Sequence, residues 1–144
     1  MSKDLSKLNR GPQAIDALLT EELTLAAATN AVTSAAIDLG SGEMHPAGIA
    51  LFVENTTEIP SASLDNTETI TVDILNGATA SPTTVIMDEV PFLTGNGSAT
   101  PAKQRLILRL PPQIERYVKI RVNSGTGTAL TAEKVLVGVI VDRV

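Results

Sequence analysis

Two adjacent prolines, Pro111 and Pro112, stand ahead of a segment whose residues alternate in character. Val118, Ile120 and Val122 fall on one side, and Tyr117, Lys119 and Arg121 on the other. Successive side chains of a strand point to opposite faces, so one apolar and one charged face describe a half-buried strand of an antiparallel sheet. Proline has no N–H to give to a ladder, which places the pair before the strand, setting its entry. The run from Leu110 to Val122 is scaffold, not chemistry.

The same period recurs along the chain. Ile49, Leu51 and Val53 share one face of a strand ending at Glu54, and Ile70, Val72 and Ile74 alternate with Thr69, Thr71 and Asp73. A strand from Thr83 to Asp88 follows Pro82, and another from Gln104 to Leu110 turns Leu106, Leu108 and Leu110 inward with Arg105 and Arg109 outward. The segment Glu133 to Arg143 is apolar on both faces, which suits a central strand covered twice or one pressed against a partner chain. Between the strands lie a turn at Gly40 to Gly42, a polar loop from Asn55 to Asn66 and a strong turn signal at Asn76-Gly77. Val90 to Leu93 leads into a flexible excursion, Thr94 to Pro101, and a further loop covers Asn123 to Thr128. Leu23 to Leu39 is rich in alanine, which favours helix, but its threonines and missing charged face favour two short extended segments around Asn30. About eight short strands with no long amphipathic helix predict an all-β chain, an antiparallel β-sandwich of jelly-roll type.

At 144 residues the chain has room for one domain, which buries roughly 68–70% of the surface its unfolded chain exposes. The boundaries expected are an extended N-terminal arm over residues 1–20 and a sandwich over 21–144. Within the arm, Gln13 to Leu19 has room for at most a short helical turn. Phe52, Phe92 and Tyr117 are the only aromatic residues, so the core has to be built from Val, Ile, Leu and Ala. There is no cysteine, which excludes disulfides, thiolate chemistry and the usual zinc frameworks. No apolar run approaches the ~20 residues needed to span a bilayer, and no leader pattern opens the chain. A soluble protein without an export signal or membrane partner is expected.

Net charge is −5, yet residues 1–12 carry Lys3, Lys7 and Arg10 against Asp4, a balance of +2 that leaves −7 on the remainder. An acidic body argues against direct nucleic-acid binding, which needs a basic surface. The basic arm reads either as a solvated tail or as a hook for an acidic protein surface.

Candidates for chemistry are few. His45, the only histidine, lies beside Pro46 without an evident nucleophile or companion ligands. The carboxylates Glu54, Glu58, Asp65, Glu68 and Asp73 show no pairing pattern of the kind glycoside hydrolysis requires, and no Trp offers a sugar platform. Gly95-Asn96-Gly97 and Gly125-Thr126-Gly127 precede no helix and lack a phosphate-loop lysine. Asp65 to Glu68 lacks the spacing and fixed glycine of a calcium loop. No enzyme activity, cofactor or metal is expected.

Three stretches, Ile37 to Gly40, Leu110 to Val122 and Val137 to Arg143, together resemble the jelly-roll capsid cement (decoration) proteins of tailed bacteriophages. The resemblance spans about residues 20 to 144. It departs at Gln113-Ile114, where a small glycine-containing turn is expected after the prolines, and in a longer, more basic arm. It implies a virion protein, made in the host cytoplasm, on the outer surface of an icosahedral head. There it bridges major capsid proteins of the HK97-like fold and associates as a small homo-oligomer, dimer or trimer. Capsid-contact candidates are the arm (Lys3, Lys7, Arg10, Leu18, Leu19) and an outward basic ladder (Arg105, Arg109, Lys119, Arg121). Val135, Val137, Val139 and Val141 are candidates for self-association, with core burial as the competing role. The rival functions are a carbohydrate- or receptor-binding sandwich on the virion and a small enzyme.

Overall fold

A computed structural model describes residues 13–27, 29–40, 49–111, 114–125, 130 and 132–142. The described residues contain no helix and nine strands: β1 Gln13–Thr24, β2 Ala31–Thr33, β3 Ile37–Asp38, β4 Ile49–Asn55, β5 Thr69–Gly77, β6 Thr84–Thr94, β7 Arg105–Arg109, β8 Tyr117–Asn123 and β9 Lys134–Asp142. One sheet has the order β1-β9-β4-β7; the other runs β2-β8-β5-β6, with β3 also on β8. Every strand pair is antiparallel. The expected all-β sandwich is what forms.

The pairing has a simple logic. β5 and β6 make a hairpin, and moving outward from it β4 pairs with β7, β2 and β3 with β8, and β1 with β9. Successive pairs alternate between the two sheets, so the chain is one long antiparallel ribbon wrapped around a common interior.

That interior is aliphatic, as the scarcity of aromatics demands. Val118, Ile120 and Val122 of β8 are fully buried, while Tyr117, Lys119 and Arg121 on the alternate positions stay half-exposed. They meet Leu51 and Val53 of β4, Ile70, Val72 and Ile74 of β5, Leu108 of β7 and Val135, Val137 and Val139 of β9 in one cluster. Each such side chain contributes roughly 1.5–3 kcal/mol by leaving water, so the sandwich rests on many small terms.

β2 and β3 are one strand interrupted at Ser34. Ser34 N donates to Ile120 O, but its Oγ, in place of a backbone carbonyl, accepts from Ile120 N at 3.0 Å. The backbone then turns away from β8, and Ala35 N donates to Oε1 of Glu21 on β1 at 2.8 Å. Ser34 thus keeps the interrupted strand on β8, and Glu21 ties it to the edge of the other sheet.

Several expectations change. Gln13 to Leu19 forms strand, paired with β9 through a register shift between Ile15 and Thr20, and no helical turn. Residues 13–19, inside the span expected as arm, therefore belong to the sheet; residues 1–12 lie outside the described residues. β6 runs to Thr94 rather than stopping at Asp88, since Pro91 is tolerated on an outer strand whose far side needs no ladder N–H. Shifts in register and a left-handed Glu89 (φ 50°) kink this strand. The turn expected at Asn76-Gly77 falls later, because β5 continues through Gly77. The excursion after Thr94 is pinned, with Gly95 N donating to Glu68 O and Thr100 bridging Ile59.

Candidate functional site

The outward basic ladder does not exist as one patch. β7 belongs to one sheet and β8 to the other, so Arg105 and Arg109 lie on one outer face and Lys119 and Arg121 on the opposite one. Sequence alternation reports which way a side chain points relative to its own sheet, not which sheet the strand joins.

On the β1-β9-β4-β7 face, Arg105 is committed internally. Its Nε and a terminal nitrogen both reach Glu54 Oε1 at 2.8 Å, and its guanidinium lies 5.5 Å from the centre of the Phe52 ring. Phe52, Ala50 and Ile140 form a second, fully buried apolar cluster on this outward side, flanked by Ile107 and Leu136. The continuous apolar run Ile49 to Val53 carries the signal for it, which single-face alternation overlooked. Arg109 is exposed at the end of β7, opposite Ala50.

On the other face, Asp73 is nearly inaccessible, at 3% exposure, although its neighbours Thr71, Arg121 and Asn123 are half-exposed. Oδ2 receives Arg121 Nε and a terminal nitrogen at 2.9 and 2.7 Å and Asn123 Nδ2 at 2.9 Å; Oδ1 receives Glu89 N at 2.7 Å. Burial alone raises the pKa of this carboxyl, but the Glu89 N–H, Asn123 and Arg121 together outweigh it and hold it below its ordinary value. The bond from Glu89 also explains the kink in β6, since the strained residue keeps a charged acceptor. Lys119 faces the same side beside Leu75, and no ion pair holds it among the described residues.

A third charged pair ties β3 to the approach of β8. Arg116 Nε and a terminal nitrogen meet the two oxygens of Asp38 at 2.7 and 2.8 Å, and the guanidinium lies 5.1 Å from the centre of the Tyr117 ring. With the Gly40 N–H added, Arg116 holds the Asp38 carboxyl down to about 2. Sequence reading passed over Arg116, because it lies before the alternating segment.

Two buried asparagines act as strand extensions. Asn76 Nδ2 donates to Glu115 O and Tyr117 O, and its Oδ1 accepts from Glu115 N. Asn55 does the same for the 101–104 segment: Nδ2 donates to Thr57 O and Pro101 O, and Oδ1 accepts from Gln104 N.

Self-association through the two-sided strand also needs correction. Val135, Val137 and Val139 are buried inside the chain's own core, because β9 is central between β1 and β4. They offer no surface to a second copy. Val141 pairs with Ala14 and Ile49, but its side chain lies outside the described residues. Lys3, Lys7, Arg10 and His45 fall outside them altogether, as do the side chains of Leu18 and Leu19, whose backbone belongs to β1.

Between β1 and the β2–β3 break lies a cleft of about 150 Å³ lined by Thr20, Glu21, Ser34, Ala35, Ala36, Ile37 and Val137. Ser34 Oγ donates to Ala35 O and accepts from Ile120 N, and the Glu21 carboxylate in the same lining accepts from Ala35 N. Among the described residues no group of three or more His, Cys, Asp or Glu side chains is arranged to hold a metal, and no helix is long and apolar enough to cross a membrane. No family model matches the chain, and no curated protein matches it.

Proposed function

We propose that this chain is a capsid cement protein of jelly-roll type. On this reading it sits on the outer surface of an icosahedral phage head and bridges neighbouring major capsid subunits of the HK97-like fold. The observation that carries the reading is the wrapped ribbon. Counting β2 and β3 as one interrupted strand leaves eight, paired first with last inward to the hairpin and distributed alternately between two sheets, a winding that supports the jelly-roll reading. Two of the stretches behind the family resemblance are also spatial partners: Ile37 of β3 pairs with Val118 of β8.

The physical role is to supply surface and stiffness. A shell under outward pressure from packed DNA fails where subunits separate, and a sandwich contacting two of them makes separation cost its own contacts as well. An oligomer engaging several sites at once gains avidity of roughly 10²–10⁴-fold, from interfaces near ~1,600 Å² each. If the expanded shell binds it better than the immature one, the same contacts bias the shell toward expansion. Arg105 and Arg121 are engaged by Glu54 and Asp73, so they reach an acidic capsid surface only by exchanging partners. Lys119 and the basic arm bear that contact more directly. Self-association then uses surfaces other than the interior face of β9.

The test is reconstitution. Purified protein is added to heads lacking it, and attachment is followed by co-sedimentation, rupture by heating. Attachment with a raised rupture temperature is the expected result; no attachment together with unchanged rupture refutes the reading.

A further inference from the structure

The chain contains two Asn-Gly pairs, Asn76-Gly77 and Asn96-Gly97, and the fold treats them oppositely. Asn-Gly is the dipeptide most open to self-attack, because glycine places no side chain in the path of its own amide nitrogen. We infer that Asn96 is a site of spontaneous backbone-assisted deamidation and isoaspartate formation in the folded protein, and that Asn76 is shielded from the same chemistry.

The reaction is internal and needs only water. The Gly97 amide nitrogen attacks Asn96 Cγ, the new N–Cγ bond forms, and the Cγ–Nδ2 bond breaks. Nδ2 leaves as ammonia, carrying the proton given up by the Gly97 N–H. Water then opens the cyclic imide at either carbonyl, giving aspartate or isoaspartate. The net change is gain of one water and loss of one ammonia, with no oxidation or reduction.

Three features favour this at Asn96. Asn96 and Gly97 are both exposed, so water reaches the imide. Among the described residues no acceptor holds the Gly97 N–H, and Gly97 sits at φ +84°, outside regular strand. Ser98 N donates to Asn96 Oδ1 at 3.0 Å, which turns the side chain toward the following backbone and polarises the carbonyl under attack. The neighbouring anchors do not reach this far: Gly95 is clamped by Asp65 and Leu64, but nothing lies within 4 Å of where a Gly97 Cβ would stand.

Asn76 has the reverse surroundings. It is 5% exposed within β5, and its leaving nitrogen is held by two carbonyls, Glu115 O at 3.0 Å and Tyr117 O at 2.9 Å. Its Oδ1 takes Glu115 N at 3.0 Å, so Cγ is turned across to β8 and away from Gly77 N. Attack there requires the β5–β8 end to open first. Conversion at Asn96 adds a negative charge to a chain already at −5, and its isoaspartyl form lengthens the 95–100 connection by one backbone carbon.

The experiment ages the full-length protein in mildly alkaline buffer, folded and in urea. Isoaspartate is quantified with a protein-isoaspartate methyltransferase and located by peptide mass spectrometry. In urea both pairs convert. In the folded protein Asn96 keeps a rate within a few-fold of its unfolded value, whereas Asn76 slows by at least about tenfold. The Asn96→Gln variant, which cannot close the five-membered imide, loses the folded-state signal. Conversion of folded Asn76 at its unfolded rate, a tenfold slowing at Asn96, or undiminished signal in Asn96→Gln each overturns the inference.

Discussion

Arg121 directs its Nε and a terminal nitrogen at a single oxygen of Asp73, Oδ2, at 2.9 and 2.7 Å, leaving Oδ1 to the Glu89 backbone. One carboxylate thereby joins β5 to both of its neighbours, β6 and β8, on a face where Thr71, Arg121 and Asn123 are half-exposed. Removing it leaves a guanidinium, an amide and a strained N–H without their acceptor.

Asp73→Ala is accordingly expected to cost about 2–4 kcal/mol in urea unfolding. Arg121→Met, whose partner keeps two other donors and whose own side chain is 31% exposed, costs about 1 kcal/mol. Equal losses for the two variants contradict the assigned asymmetry.

Acid tests the same group together with Asp38. Both carboxyls sit below their ordinary 3.8 in the folded chain. The unfolded chain therefore binds more protons, and the stabilisation is complete above 3.8 and is lost as pH falls through the folded values, about 2 for Asp38. Unfolding midpoints measured from neutral pH downward should drop across that window, less steeply in Asp73→Ala. The Asp38–Arg116 share, being exposed, should shrink with added salt.

The two glycines flanking Asn96 should respond differently to alanine. A Cβ on Gly95 stands 2.0 Å from Asp65 O and 2.6 Å from Leu64 O, so the loop 64–68 and the end of β6 cannot both keep their places. Gly95→Ala should lose well over 3 kcal/mol or fail to fold, whereas Gly97→Ala, in open space at φ +84°, costs about 1 kcal/mol. Thermal melts of the two variants decide the matter.

Asn55→Ala removes a fully buried side chain and takes away its bonds to Gln104 N, Thr57 O and Pro101 O. A loss of about 2–4 kcal/mol is expected. Amide exchange should speed up at Lys103 and Gln104 before the central strands respond.

Val137→Ala separates core from interface. Buried within the chain, it should lower stability by about 2 kcal/mol with unchanged oligomeric mass in analytical ultracentrifugation. A change of mass without a change of stability restores β9 as a contact between copies.

The sheet-forming segments were legible because burial on one face leaves a period of two in the residues themselves. Val118, Ile120 and Val122 were legible from their spacing, and so was the two-faced character of β9. Boundaries were less so. β5 passes through Asn76-Gly77 because the amide finds Glu115 and Tyr117, residues far along the chain that local turn chemistry does not register. β1 reaches back to Gln13 because β9 is there to pair with it.

By itself, the sequence determined the class of fold, the aliphatic core and the absence of cysteine chemistry, since each follows from residue type and local period. Tertiary structure alone decided which sheet each strand joined, and so parted Arg105 from Arg121 and closed Asp73 and Asn55 around distant backbone. Strand pairing is a contact between segments tens of residues apart. Alternation within one segment carries no record of its partner.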